Sequence, residues 1–137
     1  MQVNTYLSFD GDCRAAFEFY EERLDGKIQA MMSFGDSPAC GQVPAELHDR
    51  VMHGSIRLGD HVLMGTDSTP DHPYNGISGA HVVLSLPEPE EAERVFKSLS
   101  EQGRVEMPMQ ETFWARRFGM TVDRFGVPWM VNCDKEV

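Results

Sequence analysis

Cysteine is scarce in this chain of 137 residues: Cys13, Cys40 and Cys133 are all there is. They are odd in number and widely spaced, and no CxxC pair stands among them. That excludes a disulfide-stapled scaffold and a cysteine-ligated zinc module, and it fits a reducing compartment. Long apolar runs are missing too, and no stretch approaches the ~18 residues of a membrane span. The opening MQVNTYLSF has no basic segment ahead of an apolar run, so no signal peptide is expected. The location these absences predict is cytoplasmic, with no membrane partner. Positive charge is short: 12 Lys and Arg face 22 Asp and Glu, a formal charge of −10. Such a surface repels phosphate backbones, so nucleic acid is not an expected partner. It serves solubility, or an acidic cleft for a cationic ligand. No glycine-rich loop joins a strand to a helix, and no spacing suggests a P-loop, a Ser-His-Asp set, an EF-hand or a zinc finger.

What is present is alternation. Val3 to Phe9 alternates as a strand does, and so do residues 27–34. Between them Ala16, Phe17, Tyr20 and Leu24 recur at helical spacing, with Asp12 placed to cap the helix and Gly26 to stop it. Residues 35–50 carry Gly, Pro and Asp at loop intervals. His53–Leu58 and His61–Thr66 form an expected hairpin across Gly59-Asp60. A second set follows: a strand over Ala80–Leu86, a helix over 88–102 with acidic residues in its first turn, a strand over Arg104–Gln110, and a hairpin of Arg116–Asp123 with Val127–Cys133.

The order is therefore βαβββ twice. Ala15 with Ala92, Phe19 with Phe96, and Gly26 with Gly103 all fall at one separation of 77 residues, which points to a duplication. The expected organisation is one domain over 1–137, built of modules at about 1–66 and 79–137 joined by a linker at 67–78. One such module cannot cover both faces of its sheet. Two of them predict an α+β fold of paired βαβββ modules, forming a curved mixed sheet with helices outside and a concave cavity within. Strand parity then sorts the side chains. Val82, Leu84, Leu86, Trp129 and Val131 belong under the helix. Asn4, Tyr6, Ser8, His81, Val83, Ser85, Pro128, Met130 and Asn132 belong on the cavity face, where Met64 is the counterpart of Met130.

Three segments carry a resemblance. DGDCRAAFEFY (residues 10–20) joins a short polar turn to a helix with a Phe-Tyr pair. LMGTD (63–67) closes the first module. QETFW (110–114), RFGM (117–120), Asp123 and FGVPWM (125–130) form a C-terminal signature. Together they resemble the PhnB-like branch of the vicinal-oxygen-chelate superfamily, the glyoxalase, bleomycin-resistance and dioxygenase proteins, over essentially the whole chain. The resemblance implies a homodimer and a divalent metal held by His, Gln or Glu on the first and last strands of each module. Carried over here, those positions are Asn4 or Thr5, Met64, His81 and Met130. One strong ligand of four remains. Thioethers suit soft metals, and two of them make an adaptable apolar wall instead.

The candidate residues follow. A small-molecule site would be lined by Asn4, Tyr6, Met64, His81, Trp114 and Met130, with no metal and no other cofactor. The alternative is a metal-dependent lyase or dioxygenase of the glyoxalase type, whose metal would polarise a carbonyl or enediolate oxygen. His81 would then need His53 or Glu111 as a partner. A third reading is a scaffold or regulatory protein that keeps the fold. His81 and Glu111 are the catalytic candidates, against plain roles as a polar wall residue and a loop residue. Phe113 and Trp114 read as an aromatic lid, or as loop aromatics docked into the core or a dimer interface. Arg117 reads as an anion clamp or a rim residue. His48, His61 and His72 read as solvated, and Asp36, Asp49, Asp67 and Asp71 as turn residues.

Overall fold

The computed structural model describes residues 1–136. The chain divides into two compact units, Met1–Gly76 and Ile77 onward. The first holds β1 (Thr5–Phe9), α1 (Cys13–Arg23), β2 (Lys27–Ser33), β3 (Val51–Leu58) and β4 (His61–Asp67). The second holds β5 (Val82–Ser85), α2 (Pro89–Ser100), β6 (Arg104–Gln110), β7 (Ala115–Val122) and β8 (Pro128–Asp134). Each is a four-stranded mixed sheet with one helix on it, in the orders β1-β4-β3-β2 and β5-β8-β7-β6. The fold is α+β, as the element order predicts. Among the described residues no helix is long and apolar enough to cross a membrane.

Register repeats between the units. β1 runs parallel to β4, with Tyr6 beside Met64 and Ser8 beside Thr66; β5 runs parallel to β8, with Val83 beside Met130 and Ser85 beside Asn132. Leu7 and Phe9 are buried while Tyr6 and Ser8 are exposed, so the expected parity holds in β1. Trp129 and Val131 are fully buried, and Val83 is exposed. Each large apolar side chain buried in this way stabilises its unit by roughly 1.5–3 kcal/mol.

The helices repeat at a different separation. The buried positions of α1 are Cys13, Ala16, Phe17 and Tyr20; those of α2 are Ala92, Val95, Phe96 and Leu99. They coincide at a separation of 79 residues, not 77. Ala15 is exposed and Phe19 only half-buried, so their identity with Ala92 and Phe96 reflects no shared core position. The packing confirms the shift. A Cβ at Gly54 would meet Phe17, and one at Gly119, its counterpart on β7, would meet Phe96.

Some boundaries move. Asn4 lies just before β1 and His81 just before β5, and both are exposed. Asp67 is no turn residue of a linker: it closes β4, is buried, and accepts backbone N–H bonds from Gly11 and Cys13 at 3.0 Å each and from Val51 at 2.8 Å. It thereby serves the start of α1, where Asp12 makes no side-chain cap bond. In the second unit Asp123 is the buried carboxylate, accepting from the N–H groups of Phe125 (2.9 Å) and Val127 (3.0 Å) and from Trp129 Nε1 (2.8 Å).

Candidate functional site

In each unit the sheet face turned away from the helix carries the chemistry. On the first sheet Met64 lies in register between Tyr6 and Ser55. His53 comes from β3, and its Nδ1 stands 3.4 Å from the Tyr6 hydroxyl with the rings 5.9 Å apart. Sequence reasoning named both residues, and the fold brings them together.

Beyond them, past Ser8 and Thr66, the first unit encloses a hollow of about 480 Å³. Phe34, Val43, Pro44 and His72 complete its wall. This volume falls in the range of small-molecule sites. Sequence reasoning missed it because its wall comes from the loop at 35–50 and the segment after β4. Length was the available signal, since structureless loops beyond ~12–15 residues are uncommon and usually functional. The loop is fastened from inside. His48 Nε2 donates to the carbonyls of Cys40 (2.9 Å) and Val43 (3.1 Å), so this histidine is a half-buried tie and not a solvated one. Arg50 holds the far wall, donating to the Ser68 carbonyl (3.0 Å) and hydroxyl (2.9 Å) and pairing with Asp10 at 3.3 Å. Thr66 Oγ1 donates to the Met52 carbonyl at 2.8 Å. A broader groove of about 790 Å³ runs along α2, but charged side chains line it, Glu90, Glu93, Arg94, Lys97 and Glu101 among them.

On the second sheet Met130 lies in register between Val83 and Met120, and Asn132 between Ser85 and Phe118. Trp114 meets Phe118 edge-on at 5.3 Å and Phe113 at 4.9 Å. Phe113 and Trp114 are both exposed. Glu111 is exposed and ion-paired with Lys135 at 3.4 Å. Arg117 is neither clamp nor rim: its Nε donates to Glu93 of α2 at 2.6 Å, and it reaches the Met109 carbonyl at 3.3 Å. Burial, then the charge of Asp67, pushes the Cys13 thiol up to about 12. It is therefore inert at neutral pH.

Residues 2–131 match the family model of the Glyoxalase/Bleomycin resistance protein/Dioxygenase superfamily. The chain belongs to that superfamily. It is 35% identical over 144 residues to Protein YjdN of Escherichia coli K12, covering 99% of this chain and 97% of that one. The crystal structure of protein PA1353 from Pseudomonas aeruginosa superposes with a TM-score of 0.91 at 46% identity, covering 99% of each chain. A PhnB protein from Bacillus cereus shares the fold, with a TM-score of 0.81 at 23% identity over 97% of this chain and 99% of that one.

Superfamily membership implies a divalent metal, and the donor set tests it. The register that pairs Tyr6 with Met64 and Val83 with Met130 puts a thioether at each last-strand ligand position. Thioethers do not fit Zn, Ni, Mn or Fe(II). Among the described residues no group of three or more His, Cys, Asp or Glu side chains is placed to hold a metal ion.

Proposed function

We propose that the protein binds a small neutral or cationic aromatic molecule on the helix-free sheet faces, without the hard-ligand metal of glyoxalase-type enzymes and without another cofactor. The observation that supports this reading is the pair Met64 and Met130, thioethers in register with Tyr6 and Val83 where metal-dependent relatives need oxygen or nitrogen ligands. Met is soft and adaptable, and it makes favourable contacts with aromatic rings. The surrounding polar groups Tyr6, His53, Ser55, Ser85 and Asn132 can orient a ligand without supplying a strong nucleophile. The formal charge of −10 favours a cation over an anion. The protein would act in the cytoplasm as a homodimer.

Native mass spectrometry of the untagged protein, offered Zn, Ni, Mn and Fe(II) in turn, tests this. The expected result is a dimer with no stoichiometric metal. Stoichiometric metal that is lost in His81→Ala would sink the proposal and favour the metal-dependent lyase or dioxygenase in its place.

A further inference from the structure

We infer that the hollow of the first unit holds the charged end of an arylalkyl ammonium ion whose ring lies on Tyr6 and Met64; this rests on the binding reading above and names the class of ligand. Ser8 and Thr66 line the hollow, and they stand two residues along from Tyr6 and Met64 on the same two strands. Side chains two apart in a strand share a face and lie roughly 6–7 Å from one another. That is the reach of a three-carbon chain between a ring and an amine. The hollow, of about 480 Å³, is also open to a molecule from outside: Ser8, Gln42, Asp71 and His72 line it, and all four are exposed.

The wall selects the sign of the charge. Among the described residues that line the hollow there is no Lys or Arg, but there are two carboxylates, Asp67 and Asp71. Asp67 spends both its oxygens on the N–H groups of Gly11, Cys13 and Val51. Asp71 is thus the carboxylate placed to meet a ligand. It lies in a tight turn between Thr69 and His72, whose N–H and carbonyl groups exchange bonds of 3.1 and 3.0 Å. The turn sets the rim before any ligand arrives, which lowers the cost of binding. Behind Ser68 the Arg50 guanidinium is committed to Asp10 and to the Ser68 carbonyl and hydroxyl, so its charge is answered within the protein. The half-buried Phe34 belongs to the wall as well, and the face of an aromatic ring attracts a cation. A concave wall of one sign focuses its field inward, and the formal charge of −10 adds to it. The groove along α2 makes no such choice, since Arg94 and Lys97 line it beside Glu90 and Glu93.

The probes are 3-phenylpropylamine, 3-phenylpropanol and 3-phenylpropionate, which share one skeleton and differ in charge. Each is titrated into the full chain at about pH 8, where the amine and the acid are both ionised, and followed by ¹H–¹⁵N spectra. The amine is expected to shift the backbone amides of Ser8, Gln42, Thr69 and Asp71. It is expected to bind about five- to tenfold more tightly than the alcohol, the ratio that one partly exposed charge contact and one cation–π contact confer. The acid is expected to bind most weakly. Asp71→Asn should cut the advantage of the amine about threefold, and Gln42→Arg should reverse it in favour of the acid. Both side chains are exposed, so neither change disturbs the fold. Equal binding of amine and alcohol, or an advantage that survives intact in both variants, overturns the inference while leaving small-molecule binding in place. So do shifts confined to residues outside the hollow. Failure of all three probes to move any resonance overturns the inference together with the binding reading.

Discussion

In the first unit the buried carboxylate sits where β4 ends; in the second it sits where β7 turns into β8. Asp67 gathers N–H groups from the β1–α1 turn and from the start of β3, segments far apart in sequence. Asp123 serves its own hairpin and one indole six residues along the chain. The two sheets thus keep one strand register but are anchored at opposite ends. Where the first unit has Asp67 and a tied loop around a hollow, the second has Asn132 with a buried, unpaired acceptor and the exposed pair Phe113 and Trp114. Strand pairing is a property of the backbone and survives divergence of side chains. Anchors and sites are side-chain properties and drift freely. Asymmetry of this kind leaves one unit rigidly tied at the end where the other presents unpaired groups.

The sharpest way to break this comparison is to remove the anchors. Asp67→Ala leaves three buried or part-buried N–H groups without an acceptor, and should cost on the order of 3–4 kcal/mol in urea unfolding. Asp123→Ala should cost less, about 2–3 kcal/mol, because its partners are local. The reverse order would show that the distant ties of Asp67 carry no special weight. A smaller effect is expected from exchanging counterparts. Leu7 pairs with Gly65 in the first sheet, and Leu84 pairs with Val131 in the second. A Cβ at Gly65 would lie 2.9 Å from Phe17 Cζ. Gly65→Val should therefore lower stability by about 1–3 kcal/mol through overpacking, although Val is the better strand former. A thermal melt in which Gly65→Val matches the parent would mean that Phe17 yields at no cost.

The smallest effect is confined to alkaline pH. The Cys13 thiol has an ordinary value of 9.0 and is held at about 12 in the folded chain. Between these values the unfolded chain has lost its proton and the folded chain has not, so stability falls as pH rises through that window. Below 9.0 the thiol is protonated in both states and contributes no slope. Denaturation midpoints measured across the window should decline less steeply in Cys13→Ala than in the parent. Parallel slopes would place the Cys13 thiol in a less buried setting.

Most of the fold was legible from alternation, because a strand with one face under a helix must alternate. Parity put Tyr6 and Met64, and Val83 and Met130, on shared faces, and the register bears out each pair. Helix identity misled for a physical reason. Phe19 resembles Phe96 in kind, but Phe19 is half-buried beneath the Arg23 guanidinium at 5.2 Å, while Phe17 fills the core. Only contacts with the sheet reveal the two-residue slip. The ties made by Asp67 and His48 were not legible at all, since each depends on backbone groups that tertiary structure brings within reach. Asn132 was legible as a residue of the helix-free face. Its unmet acceptor was not, because that depends on Asp134 claiming the other end of the amide.

The parallel pairing of first and last strands has a consequence for synthesis. Within its own sheet β1 is an edge strand beside β4, and β5 is likewise an edge strand beside β8. A chain emerging from the ribosome offers Leu7 and Phe9 early, yet Thr5 gains its sheet partner only when Leu63 appears. The second unit repeats the delay, with Val82 waiting for Trp129. Pairing β1 with β4, or β5 with β8, thus closes a long loop, a slow kind of step. Until that loop closes, the strand that carries Leu7 and Phe9 has no sheet neighbour.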